Sequence, residues 1–325
     1  MKVSVCIPTY NSGRFLGETI ESVLAQRFRD FELVVCDNAS TDETPELCAR
    51  YRDPRFRYVR FEELVGQAEN WNRCLELAQG ELIILLHGDD LLAPDYLERA
   101  VPVMDRHPEV ALLFCCAQHI DAEGKPLRLQ AAFAEDIVDD GMVLARLLLL
   151  KGCEVNPAGV LVRRSAYEAV GRFTEAIVWG VDWHMWVRLA LRGQFAYLAE
   201  PLSRYRIHGA SGTSGVMATA RNVRDERWMF DDLYAHFTSR ELRQLPSRAE
   251  VNRGIVHRTW CFAEELCRTG FSGPARAQMR NAIAVSPACL LQPRFWVLWA
   301  ATYLGYNAFS RLQRWKHALA GSRIG

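Results

Sequence analysis

Leu82-Ile83-Ile84-Leu85-Leu86-His87-Gly88-Asp89-Asp90 is the stretch on which the reading of this chain turns. Five apolar residues without polar alternation read as a strand buried on both faces, the kind found in parallel sheets. Two adjacent acids follow at its carboxyl end, where open α/β sheets bind ligands. Neighbouring carboxylates repel each other, so such a pair persists only when exposed or when a cation joins it. An oxygen-rich pair suits Mg2+ or Mn2+, and such an ion commonly shares its shell with substrate phosphates. The stretch points to a metal-dependent enzyme acting on a phosphate-bearing substrate.

Outward from it the pattern repeats. Residues 3–7 form a predicted strand, stopped by Pro8, and residues 14–26 carry Phe15, Leu16, Ile20, Val23 and Leu24 at helical spacing. Further strands are predicted at 31–36, 57–61 and 110–117, and helices at 42–52, 66–79 and 94–106. Strict β–α alternation implies an α/β fold with a doubly wound, mostly parallel sheet. The middle is less regular, with helices expected at 142–151, 164–170 and 182–191 and a strand at 158–162. From about residue 218 the periodicity is helical, including a hairpin over 261–283 broken between Gly270 and Gly273.

Bulk properties narrow the class. The 325 residues include 39 Lys plus Arg and 39 Asp plus Glu, so zero net charge argues against a nucleic-acid partner. Half the residues are apolar, enough for a substantial core. None of the ten cysteines forms a C-x-x-C pair, and several lie inside apolar runs, which reads as reduced core thiols. The chain enters a strand at Val3 with no signal peptide before it, so a cytoplasmic protein is expected. Residues 295–309 carry Trp296, Trp299, Tyr303 and Tyr306 ahead of Arg311, Arg314, Lys316 and Arg323. Three readings stand: an interfacial helix in peripheral contact with the membrane, a helix packed on its own domain or on a second copy in a homo-oligomer, and a short span.

The two common phosphate cradles are absent. No G-x-G-x-x-G follows the first strand, where Pro8-Thr9-Tyr10-Asn11-Ser12-Gly13 stands, and no Gly-rich loop ends in Lys-Ser or Lys-Thr. The strand ends instead offer Thr9, Asp37, Asn38, Asn72, Asp89 and Asp90.

Seven segments in order resemble the family 2 glycosyltransferases of GT-A (Rossmann-like) fold. They are the stretch from Val3 to Asn11, Asp37-Asn38-Ala39-Ser40-Thr41-Asp42, Asn72 with Ala78-Gln79-Gly80-Glu81, His87-Gly88-Asp89-Asp90 with Pro94-Asp95, Val170-Gly171-Arg172-Phe173, Gly180-Val181-Asp182-Trp183, and Tyr205-Arg206-Ile207-His208. The resemblance implies a glycosyltransferase domain over 1–217, with a nucleotide-sugar half (1–117) and an acceptor half (118–217), and a helical region over 218–325. It implies an inverting enzyme that moves a sugar from a nucleotide-diphosphate sugar to a glycan or lipid-linked acceptor in bacterial surface polysaccharide synthesis. The chain lacks the Q-x-x-R-W motif of processive synthases, which favours transfer of single sugars.

Residue roles follow from the same resemblance. Asp89 matches the last acid of the D-x-D motif that holds Mg2+ or Mn2+, while His87 stands where the first acid would be. Imidazole can bind Mn2+ or hydrogen-bond a ribose. Asp90 either orients the loop or touches the acceptor. Asp182 matches the catalytic base, with Val181 replacing the usual Glu before it, and Trp179 and Trp183 flank it as acceptor-stacking candidates. Pro8, Thr9, Tyr10, Asn11, Asp37, Asn38, Asn72, His87, Gly88, Asp89 and Asp90 are the expected nucleotide-sugar contacts, with UDP or TDP favoured. His208, at the head of a Gly/Ser-rich loop through Gly215, is a second expected metal contact, and Arg204 and Arg206 are candidate phosphate neighbours. A silent sugar-nucleotide binder would bind donor without turnover, and a nucleotidyltransferase would release pyrophosphate.

Overall fold

Apolar runs without alternation need cover on both faces, and in the computed structural model every residue of β1 (Val3–Thr9) and β2 (Phe31–Asp37) is buried. The structure describes residues 1–209 and 219–304. The chain divides into two compact units, Met1–Gly209 and Ala210–Gly325.

The first unit is built on one ten-stranded sheet. After β2 come β3 (Phe56–Arg60), β4 (Leu82–Leu85), β5 (Leu91–Leu92), β6 (Val110–Ile120), β7 (Pro126–Gln130), β8 (Ile137–Asp140), β9 (Val160–Arg163) and β10 (Gln194–Arg206). The order is β3-β2-β1-β4-β9-β6-β10-β5, with β7 on β6 and β8 on β10. Strands β3, β2, β1, β4, β6 and β10 run one way, and β9 and β5 run against them. The chain winds from β1 outward through β2 to β3, then returns to β4 on the other side of β1. This reversal opens a crevice at the carboxyl ends of β1 and β4.

Helices cover the sheet. They are α1 (Gly13–Leu24), α2 (Thr44–Cys48), α3 (Gln67–Leu77), α4 (Tyr96–Arg106), α5 (Gly141–Lys151), α6 (Arg164–Val170) and α7 (Val181–Ala190). Helix α1 buries Phe15, Leu16, Ile20 and Val23, the spacing expected of one apolar face. Leu16, Ile20 and Val23 join Val5, Ile7, Leu33, Leu82 and Ile84 in the main core.

The structure differs from the sequence expectation in four places, each for a local reason. The helix expected at 42–52 is only Thr44–Cys48. The Asp42 carboxylate accepts from the N–H groups of Thr44 (3.1 Å) and Gly13 (2.9 Å), so it caps and tethers instead of entering the helix. Strands β7 and β8 lie off the main path and are short and largely exposed, so no buried apolar run marks them. Strand β10 was not expected because Pro201 breaks its pattern. The register against β6 shifts between Leu198 and Pro201, and the N–H of Ala199 there donates to Asp136 Oδ1 (2.8 Å).

The second unit is helical, as the periodicity implied: α8 (Arg221–His236), α9 (Ser239–Gln244), α10 (Arg248–Arg268), α11 (Ser272–Val285) and α12 (Pro293–Leu304). Capping boxes Thr238/Glu241 and Ser247/Glu250 start α9 and α10. Gly270, at φ +89°, supplies the left-handed residue that ends the α10 side of the hairpin. Helix α12 packs Phe295, Leu298 and Ala301 into a core with Trp260 and Met279. Its other face exposes Trp296 (54%) and Tyr303 (62%). No helix among the described residues is long and apolar enough to cross a membrane. The expected boundary at residue 217, the loop from 210 to 215, residues 305–309 and the basic residues after them lie outside the described residues.

One buried polar knot fixes the turn that feeds β4. Ser4 Oγ donates to Glu32 Oε1 (2.5 Å) and accepts from the N–H groups of Gln79 (2.9 Å) and Gly80 (2.7 Å). A Cβ on Gly80 would meet the Ser4 nitrogen at 2.5 Å, so the backbones touch. Removing the hydroxyl orphans the buried Gly80 N–H and takes one donor from Glu32 Oε1, which keeps the Gln79 N–H (2.7 Å). Ser4→Ala is therefore expected to destabilise the sheet unit by roughly 1–3 kcal/mol, read as a lower denaturant midpoint at unchanged slope; an unchanged midpoint would remove this knot from the stability of the fold.

Candidate functional site

Residues His87 to Asp90 form a tight turn directly after β4, closed by the Asp90 N–H donating to the His87 carbonyl (3.2 Å). Gly88 is needed there, since a Cβ would come within 3.3 Å of Thr9 Oγ1 and of Ser12 Cβ. The turn is thus pressed against the end of β1. Beyond it, β5 pairs antiparallel with β10 at Leu91 and Leu92, which pins the loop from the other side.

Arg206, 1% exposed, holds this loop together. Its N–H donates to Asp90 Oδ1 (2.9 Å). Its guanidinium donates to the carbonyls of Asp89 (2.9 Å) and Ala122 (2.9 Å) and to Glu18 Oε2 (2.7 Å), and it lies over the Phe15 ring at 4.7 Å. The guanidinium is occupied by the loop, so a phosphate-facing role for Arg206 is not what its contacts describe. Its neighbour two residues on, His208, places Nε2 2.9 Å from Asp89 Oδ2, with its ring on Phe15 at 4.9 Å.

His87, Asp89 and Asp90 offer ligand atoms that all lie within 4.8 Å of one another. The Asp90 side chain is fully buried, and its Oδ2 has no hydrogen-bond partner. Burial, then the neighbouring Asp89 charge, push the Asp90 carboxyl well above the usual carboxylate range. His87 Nδ1 stands 3.7 Å from Asp90 Oδ2, and its ring stacks on Trp71 (5.4 Å between centroids, 22° between planes). A buried oxygen without a donor, beside a second carboxylate and an imidazole, is a donor set that fits a divalent cation.

Asp182 lies in the first turn of α7, after Gly180 at φ +74°. Its Oδ1 accepts from the Trp183 N–H (2.8 Å). Burial pushes its carboxyl up from the ordinary value, and the Trp183 N–H and the His87 ring oppose that shift. Trp183 is 3% exposed and belongs to the core, whereas Trp179 is half-buried.

On the β1–β2 side, the Asn38 N–H donates to the Thr9 carbonyl (2.9 Å). Thr9 Oγ1 is buried without a hydrogen-bond partner, and Tyr10 is exposed. Asn11, at φ +50°, ties its side-chain oxygen to the Thr41 N–H (2.8 Å). Asp37 accepts from the Ser40 N–H (2.9 Å) and the Tyr58 hydroxyl (2.5 Å), with Arg60 Nε 3.6 Å away. The two asparagines act as backbone clamps. Asn38 pairs its amide with the N–H and carbonyl of Val65 (3.0 and 2.9 Å). Asn72 does the same with Phe173 (2.8 and 3.1 Å). Trp71, Phe15 and Tyr58 were not singled out by sequence; ring stacking and a phenol–carboxylate bond leave no spacing signature.

A family model described as Glycosyl transferase family 2 matches residues 4–171. The chain belongs to this family. The glycosyltransferase is 32% identical over 246 residues to an uncharacterized protein of Mycobacterium tuberculosis, covering 71% of this chain and 76% of that one. It is 30% identical over 222 residues to an uncharacterized glycosyltransferase of Nostoc sp., covering 65% and 66%. Among solved structures it resembles residues 1–349 of TarS from S. aureus in complex with UDP-GlcNAc (TM-score 0.59, 19% identity, 90% and 92% covered). It also resembles the mannosyltransferase PcManGT from Pyrobaculum calidifontis in complex with GDP-Man and Mn2+ (TM-score 0.59, 18% identity, 93% and 84% covered). At these identities the two structures speak to the fold, and both are GT-A glycosyltransferases.

The Arg206 contacts generate a contrast. Arg206→Ala keeps the N–H bond to Asp90 but leaves the Asp89 and Ala122 carbonyls without the guanidinium and should destabilise the sheet unit by about 3 kcal/mol or more. Glu18→Gln alters only an exposed partner and should change stability by less than about 1 kcal/mol. Denaturant unfolding of both variants checks this; equal effects would show that Arg206 acts only through its ion pair.

Proposed function

We propose that this glycosyltransferase transfers single sugars, with inversion, from a nucleotide-diphosphate sugar to a hydroxyl of a glycan or lipid-linked acceptor in surface polysaccharide synthesis. The observation that carries this reading is the His87, Asp89 and Asp90 cluster at the strand-order reversal. Asp89 and Asp90 would hold a divalent ion, with His208 beside Asp89. Such an ion supplies Lewis acidity that offsets charge on the departing nucleoside diphosphate.

Asp182 acts as the base. A sugar hydroxyl is a weak nucleophile and needs a proton acceptor within hydrogen-bond reach. Burial raises the Asp182 carboxyl, which makes its anion a stronger base than a solvated aspartate. The proton moves from the acceptor hydroxyl to an Asp182 oxygen as the new C–O bond forms and the diphosphate leaves. One displacement on the opposite face inverts the anomeric carbon. Trp179 is the better placed of the two tryptophans for the acceptor, since Trp183 is in the core.

Pro8, Thr9, Tyr10, Asn11, Asp37 and Gly88 form the nucleotide cradle, while Asn38 and Asn72 hold the backbone around it. UDP or TDP is the favoured nucleotide. The ten free cysteines support a cytoplasmic setting. Trp296 and Tyr303, exposed on α12, support peripheral contact with the membrane face.

Calorimetry with UDP, TDP and GDP, each with Mn2+ and with EDTA, tests the donor site. Asp89→Ala should lose metal-dependent nucleotide binding. Asp182→Asn should keep it while transfer falls by roughly 10²- to 10⁴-fold; full transfer by Asp182→Asn would sink the base assignment. For the membrane, Trp296→Ser with Tyr303→Ser should lower co-sedimentation with anionic vesicles several-fold, and unchanged recovery would remove that contact.

A further inference from the structure

We infer that His87 is itself a metal ligand and sets the ion preference of this site toward Mn2+ over Mg2+. The inference rests on the metal-binding reading above and concerns which ion is held.

The spacing of His87 is the first support. Its Nδ1 is 3.7 Å from Asp90 Oδ2. That is too long for a hydrogen bond. It is a suitable separation for two ligands of one ion, which stand roughly 3 to 4.4 Å apart when each lies about 2.0–2.2 Å from the metal. Asp90 Oδ2 is fully buried and accepts no hydrogen bond, so a cation is the partner its surroundings lack.

The second support is the way the ring is held. Trp71 lies nearly parallel beneath His87, and Phe173 meets the Trp71 ring edge-on (5.2 Å, 78°). The residue after Trp71 clamps the Phe173 backbone through both amide atoms. Trp71 is therefore locked from two sides, and it is a positioning residue for His87. An imidazole on a fixed shelf keeps its nitrogen at the cluster instead of yielding its place to water.

The chemistry then selects the ion. Mg2+ demands near-ideal octahedral oxygen coordination and gives up its waters reluctantly. A set that mixes imidazole nitrogen with carboxylates suits transition ions better than Mg2+, and Mn2+ is the one of the two expected ions that accepts both donor types. A carboxylate at position 87 would make the site all-oxygen and lower this discrimination.

The test uses the full chain with Mn2+, with and without UDP, and follows bound Mn2+ by electron paramagnetic resonance. Pulsed spectra should show nitrogen coupling that weakens in His87→Asp. The excess of Mg2+ needed to displace half the Mn2+ should fall about tenfold in His87→Asp. Trp71→Leu should move it the same way and Trp71→Phe should largely restore it. No nitrogen coupling in the native chain, or the same Mg2+ excess in His87→Asp, would overturn the inference. Asp89→Asn separates the two levels. If it still binds Mn2+ like the native chain, the underlying metal site fails; if it loses Mn2+ while His87→Asp leaves the ion ratio unchanged, the site stands and the role of His87 fails.

Discussion

Two neighbouring carboxylates at the mouth of a buried sheet must be held by something other than their own attraction for water, and Arg206 does so here. Its backbone N–H binds Asp90, and its guanidinium binds the Asp89 and Ala122 carbonyls and Glu18. The charge of Arg206 is buried at the end of β10, which continues past Pro201 through a register shift against β6. Beside it β10 pairs with β5, the strand that follows the acid loop, so the strand pairing and the guanidinium hold the loop together.

The acid loop is flanked by two imidazoles, and each is set on an aromatic ring: His87 on Trp71 and His208 on Phe15. Phe15 carries the Arg206 guanidinium as well. Aromatic rings hold such groups through dispersion and their quadrupole, and neither ring carries a charge that would compete for a ligand. The site thus takes its rigidity from apolar neighbours and leaves Asp90 Oδ2 without a donor.

Much of this was legible in the sequence, and the rest was not for identifiable reasons. The central strands β1, β2 and β4 announce themselves because a strand buried on both faces must be apolar throughout. The acids at the end of β4 announce the site because charge at such a place has few structural uses. Short exposed strands such as β7, with Leu127 and Leu129 alone on one face, are too brief to stand out. Asn38 and Asn72 stand among the family motifs, yet their amides pair with the backbones of Val65 and Phe173. An amide that mimics a strand edge has no signature, because its partner is the main chain of a residue of any type. Arg206 stands out in the sequence as a candidate phosphate neighbour, but its loop-holding role does not, since two of its acceptors are carbonyls.

The buried Asp90 shows how stability and function oppose each other at this loop. Burial and the adjacent Asp89 both disfavour its charge, so the bare loop resists holding two anions. Replacing it by a neutral residue would ease the fold and remove an oxygen that a cation can use. Arg206 does not neutralise Asp90 through its guanidinium, whose hydrogen bonds go to carbonyls and to Glu18; only its N–H reaches the carboxylate. The loop is thus kept folded mainly by bonds to its backbone, while the Arg206 charge only partly offsets burial and the Asp89 charge at Asp90. That division lets a cation bind strongly, because its arrival relieves a repulsion that the protein has preserved.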